Sequence, residues 1–167
     1  MLGVMLSGVM LAGCSTVPFE GYQPDGRYCF RIAKRKVCTD KTAPTMLQET
    51  EAKRFQPDPL RHTVWIVRNT RHDPYGKVSV RIGTELIDML SETTARFALP
   101  PGPQHLTATA YSRSAGELNI VGRAGEQTFV EIRADVGFFF TDYSLRILPE
   151  QEGHRLVTAS KLIADRR

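Results

Sequence analysis

From residue 62 onward the chain alternates apolar and polar positions with a period of two, the pattern of strands that turn one face to a core. Residues 62–69, His62-Thr63-Val64-Trp65-Ile66-Val67-Arg68-Asn69, are apolar on both faces in their middle, which predicts a central strand. In residues 77–82 the alternation is clean: Val78, Val80 and Ile82 point to a core, Ser79 and Arg81 to water, and Gly83 marks a turn. Residues 95–99 run into Pro100-Pro101-Gly102-Pro103, a run expected to leave any ladder and reverse the chain. Residues 105–111 resume with Leu106, Ala108 and Ala110 in phase, and residues 117–121, 128–133 and 139–148 supply three more strands. The prediction is an all-β fold, an antiparallel β-sandwich of about six to seven strands over residues 62–167, with an N-terminal cysteine hairpin and short flanking helices. One such helix is expected over residues 153–162, where Leu156, Ala159 and Leu162 recur at helical spacing.

The segment before this domain is organised differently. Residues 39–61 read as a linker with a short helix over 42–55, capped by Thr42 with Pro44 in its first turn, apolar at Leu47, Ala52 and Phe55, and ended by Pro57 and Pro59. In residues 28–38, a hairpin folded about Ala33-Lys34 sets Cys29 opposite Cys38 and Phe30 opposite Val37, and a four-residue loop would preserve that opposition. A disulfide is expected there, with a ring-closure contribution of roughly 2.5–3 kcal/mol; the alternative is two unpaired thiols. Tyr28, Phe30, Ile32 and Val37 would share one face, with Arg31 and Lys36 on the other beside the bridge. Lys34, Arg35 and Lys36 at the tip read as a solvated turn whose charges discourage edge pairing. The competing reading is a dock for the phosphates of anionic lipid or lipopolysaccharide, or for acidic groups of the cell wall. Residues 14–27, with Pro18, Gly21, Pro24 and Gly26, form a tether.

Residues 1–13 are apolar and uncharged, yet shorter than the ~20 residues needed to span ~30 Å of hydrocarbon. With Leu11-Ala12-Gly13-Cys14 at their end they resemble a bacterial lipoprotein signal peptide, cleaved between Gly13 and Cys14 and acylated on Cys14. A diacylglycerol thioether plus an amide-linked chain such as palmitate would hold the product on a membrane, since several acyl chains anchor where one does not. No Lys or Arg precedes the apolar core, the pattern expected when translation starts upstream of Met1. Ser15 stands where lipoproteins retained at the inner membrane tend to carry Asp, so the resemblance is to outer-membrane lipoproteins of Gram-negative bacteria that face the periplasm. Acylating Cys14 leaves an even pair of the three cysteines, in a compartment where disulfides persist.

The formal charge of +4 is spread among carboxylates, a solvated surface and not the footprint of a nucleic-acid binder. His62, His72, His105 and His154 share no metal-ligand spacing, and no nucleophile elbow or phosphate-cradling loop is present, so neither metal, cofactor nor enzyme activity is expected. His72-Asp73 beside Tyr75 reads as a turn set by Asp73-Pro74-Tyr75-Gly76, the alternative being a small polar site. Glu117, Glu126 and Glu131 fall on separate elements, without the pairing of an acid and a base. Phe138-Phe139-Phe140 exceeds what alternation can bury, so either a helix or loop covers the run or a phenylalanine is left to dock a partner or enter lipid. Trp65 belongs to a core strand; Tyr111 and Tyr143 are the other aromatics that could stack on sugars.

An ordered series of landmarks carries a family resemblance. Ala52-Lys53-Arg54-Phe55-Gln56-Pro57-Asp58-Pro59, Val64-Trp65-Ile66-Val67-Arg68, Val78-Ser79-Val80, Leu99-Pro100-Pro101-Gly102-Pro103-Gln104-His105-Leu106, Ala124-Gly125-Glu126-Gln127-Thr128-Phe129-Val130 and Glu152-Gly153 resemble the bacterial lipoprotein domain of unknown function 2846, over about residues 52–162. The resemblance implies a cell-envelope β-sandwich with no established activity and no binding residues to carry over. The expected function is a non-catalytic binding or adapter module in an envelope protein assembly, held to the membrane by its lipid. The alternatives are a carbohydrate or peptidoglycan binder, which needs exposed aromatics near polar loops, and a hydrolase with a dispersed site.

Overall fold

The computed structural model describes residues 21–32, 35–69, 76–111, 113–138 and 141–167. Strands β1 (Gly21–Tyr22), β2 (Tyr28–Ile32) and β3 (Arg35–Cys38) form a small antiparallel sheet, so the end of the expected tether is itself an added strand. Cys29 pairs with Cys38 and Phe30 with Val37, and the cysteines are bridged, their Cα atoms 4.0 Å apart. Tyr28 and Phe30 are buried. Lys34 and the side chains of Ile32 and Arg35 lie outside the described residues.

Helix α1 (Met46–Ala52) follows, shorter than expected and capped by Thr45 in place of Thr42. The reason is a reciprocal box: the Gln48 N–H donates to Thr45 Oγ1 at 3.3 Å and the Thr45 N–H donates to Gln48 Oε1 at 2.8 Å. Pro44 therefore precedes the cap and does not sit in the first turn.

The main domain comprises β4 (His62–Arg68), β5 (Val78–Ile82), β6 (Glu85–Met89), β7 (Thr93–Leu99), β8 (Gly102–Ala110), β9 (Arg113–Gly122), β10 (Gln127–Val136), β11 (Thr141–Leu148), helix α2 (Glu150–Ala159) and β12 (Lys161–Arg166). They make a five-stranded sheet, β11-β10-β4-β7-β12, facing a four-stranded one, β6-β5-β8-β9. Val64, Ile66, Val80, Ile82, Phe97, Leu106 and Val130 fill the space between. A second core, with Trp65, Val67, Phe129, Leu156 and Leu162, lies between the outer face of the larger sheet and the helices, which is why β4 is buried on both faces.

Nine strands in the two sheets exceed the six to seven expected, and β4 with β10 and β7 with β12 pair in parallel. Two local expectations are corrected. The helix predicted over 153–162 ends at Ala159, because Leu162, Ile163 and Ala164 are buried consecutively in β12; three adjacent buried side chains suit a strand and not one stripe of a helix. Gly102 and Pro103 remain in the ladder, opposite Gly122 and Val121. Proline is tolerated there because β5 pairs with β8 only from Leu106 onward, so the other side of Pro103 is an open edge.

The strand directions define two ends. β4 and β6 finish, and β7 begins, at one of them, where an Arg68 guanidinium N–H donates to the Met89 carbonyl at 2.8 Å. Ala110 of β8 and Val136 of β10 also reach this end; the turns at Pro100-Pro101 and Ala124-Gly125 occupy the other.

Candidate functional site

On one flank the two sheets are splayed. β6 runs into β7 through Leu90, Ser91 and Glu92, crossing from the small sheet to the large one, and β12 lies outside β7. Two edge strands, β6 and β12, are thereby set side by side with the segment after Cys38 lying over them. Between them is a cleft of about 450 Å³ lined by residues 39–41, 84–88, 163, 164 and 166. Its floor is apolar, with Ile87, Ile163 and Ala164 buried, and Leu86, 49% exposed, stands at the rim. Arg166 and Glu85 face each other across the two edges at 3.3 Å.

Ala164 and Arg166 also line a second hollow of about 620 Å³ bounded by residues 42–44 and Gln48, so a continuous trough follows the outer edge of β12. The start of that edge is closed. Glu49 Oε1 of α1 accepts the Leu162 N–H at 3.2 Å, supplying the partner a neighbouring strand would have supplied, while Lys53 Nζ, just past α1, donates to the Ser160 carbonyl at 2.5 Å and the Thr158 carbonyl at 3.2 Å at the end of α2. Beyond Leu162, where β12 is bulged, no side chain among the described residues does the same for the backbone of Ala164, Asp165 and Arg166.

The carboxylates around the trough are already paired. Burial pushes the Lys77 ammonium down, but Asp40 at 2.5 Å and Asp88 at 3.3 Å outweigh it and raise its pKa above the ordinary lysine value. The hydrogen bond from Lys77 in turn holds the Asp40 carboxyl below the usual range. Burial raises Glu49, and the hydrogen bonds from Lys161, Lys53 and Leu162 more than reverse it, leaving its pKa lowered. Asp165 is likewise lowered, its desolvation outweighed by bidentate bonds from Arg96 at 2.8 and 2.6 Å. Carboxylates so neutralised are poor general bases. Thr39 Oγ1 is spent on the Lys41 carbonyl at 2.8 Å. What the trough offers is an apolar floor beside a strand edge that no side chain among the described residues caps beyond Leu162, equipment for binding.

The residues singled out from the sequence do not converge here. Phe138 stands at the end of the β10–β11 arm, 95% exposed. Lys36 is exposed and donates to Gln23 Oε1 at 2.5 Å. Trp65 is buried, Tyr143 packs partly against the core and Tyr111 is exposed. His105 Nε2 is 3.8 Å from Glu117, both more than half exposed on neighbouring strands. Glu126 caps the Arg123 N–H, and Glu131 binds Arg146. Gly13, Cys14, Lys34, His72, Asp73, Tyr75, Phe139 and Phe140 lie outside the described residues. Among the described residues no cluster of His, Cys, Asp and Glu is arranged for a metal, and no helix is long and apolar enough to cross a membrane.

The trough residues were missed, although part of the signal is in the chain. Ile82-Gly83-Thr84-Glu85 is a two-residue turn, and Glu85-Leu86-Ile87-Asp88-Met89 after it could be read as the returning strand of a hairpin. That β6 would lie beside β12 depends on pairings between distant segments, which no local pattern encodes. No family model matches the chain, and no curated protein matches it.

Proposed function

We propose that this chain is a lipid-anchored lipoprotein of a Gram-negative cell envelope, held at the outer membrane through Cys14 and facing the periplasm, and that it acts as a non-catalytic binding module. Its ligand is an extended segment of an envelope protein, which adds alongside β12 and sets side chains on Ile87, Ile163 and Ala164. The supporting observation is the outer edge of β12, capped by Glu49 at the Leu162 N–H and met by no side chain among the described residues from Ala164 to Arg166, beside a cleft with an apolar floor. An edge strand left open in this way invites a strand partner. Anchoring is supported by Leu11-Ala12-Gly13-Cys14 behind an uncharged apolar leader.

The test is photo-crosslinking in intact cells from a reactive amino acid placed at Leu86, with Val121, exposed and far from the trough, as the control position. One envelope protein, captured from residue 86 and not from residue 121 and joined through one contiguous segment, is the expected result. Capture of muropeptide or glycan alone at residue 86 would replace this reading with wall binding.

A further inference from the structure

Three features that are unrelated in sequence face the same end of the molecule, the arm on one flank and the hairpin and chain exit on the other. The first is the β10–β11 arm. β10 pairs with β4 only over Gln127 to Glu131, and β4 stops one residue later at Arg68, whereas the β10–β11 ladder continues to Val136 opposite Thr141. The arm therefore projects about four residues, or ~13 Å, past the last residue of β4. It ends in apolar surface, with Val136 49% and Phe138 95% exposed. A second aromatic, Tyr111, stands exposed after β8 at the same end, next to the exposed Arg113.

The second feature is the cysteine hairpin. A Cβ at Gly76, just ahead of β5, would meet the Val37 side chain at 3.0 Å; Asp40 then binds Lys77, and residues 42–44 line the hollow beside the far end of β12. The chain from β3 onward thus travels away from the end that carries the arm. β2 ends and β3 begins, with the exposed Lys36 near its start, on the side of that end.

The third feature is the chain exit. β1 is antiparallel to β2, with Gly21 opposite Cys29 and Tyr22 opposite Tyr28, so β1 runs away from the same end and its first residue, Gly21, is on that side. Tyr22 is fixed in place by its hydroxyl, which donates to the Pro44 carbonyl at 2.5 Å, and by Lys161 Nζ lying 4.4 Å from its ring centre. Cys14 is seven positions upstream, a reach of at most ~25 Å.

We propose that this end is a membrane-docking surface: with the lipid on Cys14 in the bilayer, Val136 and Phe138 of the β10–β11 arm enter the headgroup–acyl boundary of that same leaflet and orient the domain. The seven-position spacing between Cys14 and Gly21 holds the arm at high effective concentration beside the membrane. Exposed apolar and aromatic side chains suit the interface, where an apolar body and a polar margin are both satisfied, with the opposed, exposed Asp135 and Asp142 of the arm on that polar margin. The trough beside β12 would then open along the flank, clear of the lipid. This inference rests on the acylation of Cys14.

The experiment uses the full lipidated chain reconstituted into vesicles of phosphatidylethanolamine and phosphatidylglycerol containing brominated acyl chains. The variants are Phe138→Trp and, at the opposite end, Val121→Trp; both share the buried Trp65 background. Insertion to the ~5–10 Å typical of interfacial elements is expected to quench the added indole of Phe138→Trp about two-fold or more, while Val121→Trp is quenched no more than the unsubstituted protein. Equal quenching of the two variants in protein that floats with the vesicles would overturn the docking surface and leave the anchor intact. Protein that does not float would overturn the anchor and the docking surface together. Phe138→Trp that floats unquenched but crosslinks to an envelope protein in cells would reassign the arm to a protein partner.

Discussion

Gly153 of α2 lies directly against the ring of Phe129: a Cβ at residue 153 would stand 2.2 Å from Phe129 Cγ and 2.5 Å from its Cβ. The helix can approach the sheet this closely only without a side chain there, and the approach buries Leu156 and Val157 beside Trp65. Gly153→Ala is expected to lower stability by about 1–3 kcal/mol, the usual cost of forcing atoms into a filled core. Urea denaturation checks it. Helix propensity alone would predict the opposite sign, a gain of roughly 1 kcal/mol, and that outcome would mean α2 does not sit on Phe129.

His62 is fully buried at the start of β4, its Nε2 2.9 Å from Thr128 Oγ1, its Nδ1 without a partner and its ring against Gly122. Burial lowers its pKa from the ordinary 6.5, against a smaller opposing pull from Glu126. The unfolded chain therefore binds a proton at a pH where the folded protein does not, so stability falls as pH drops below 6.5 toward the folded value. Urea midpoints on either side of pH 6.5 should shift accordingly, and His62→Gln should flatten the dependence. An unchanged slope in that variant would mean another group titrates.

Glu49 and Asp165 act in a more acidic window. Both carboxyls are held below their ordinary values of 4.5 and 3.8, so their contribution is complete above those values and is lost as pH falls through the lower folded ones. Glu49→Ala also removes the acceptor of the Leu162 N–H and the carboxylate partner of Lys53 and Lys161. It is expected to cost about 1–3 kcal/mol and to increase self-association through the unblocked edge of β12. Sedimentation of the variant against the parent measures the second effect; a monomer as stable as the parent would contradict the role given to Glu49.

The Cys29–Cys38 bridge closes a short ring across β2 and β3. Replacing both cysteines by alanine is expected to lower stability by roughly 2.5–3 kcal/mol from chain entropy alone. Thermal or urea unfolding of the double variant reads this directly, and an unchanged midpoint would contradict it.

Legibility in the sequence followed the range of the interactions. The hairpin register was readable because ten residues carry both cysteines and the apolar alternation, and the central place of β4 was readable because Val64, Trp65, Ile66 and Val67 leave no polar face. β12 was taken for the end of a helix because Leu156 and Leu162 are also in helical phase, and only pairing with β7, nearly seventy residues earlier, decides between the two. The trough was not readable for the same reason: Asp40, Leu86 and Ala164 come from three segments that share no local pattern. The excess of phenylalanine left open whether the run is covered or exposed, and the 95% exposure of Phe138 and its shared end with Gly21 needed the structure and its ladder registers.

Anchoring underlies both the proposed function and the docking surface, and one measurement reaches it directly: the intact mass of the full-length protein extracted from the membrane fraction, beside that of Cys14→Ser. The expected result is a chain that begins at Cys14 and carries diacylglycerol and an amide-linked acyl group, with the variant lost from the membrane fraction. A chain that retains residues 1–13, or a free thiol on Cys14, would contradict it.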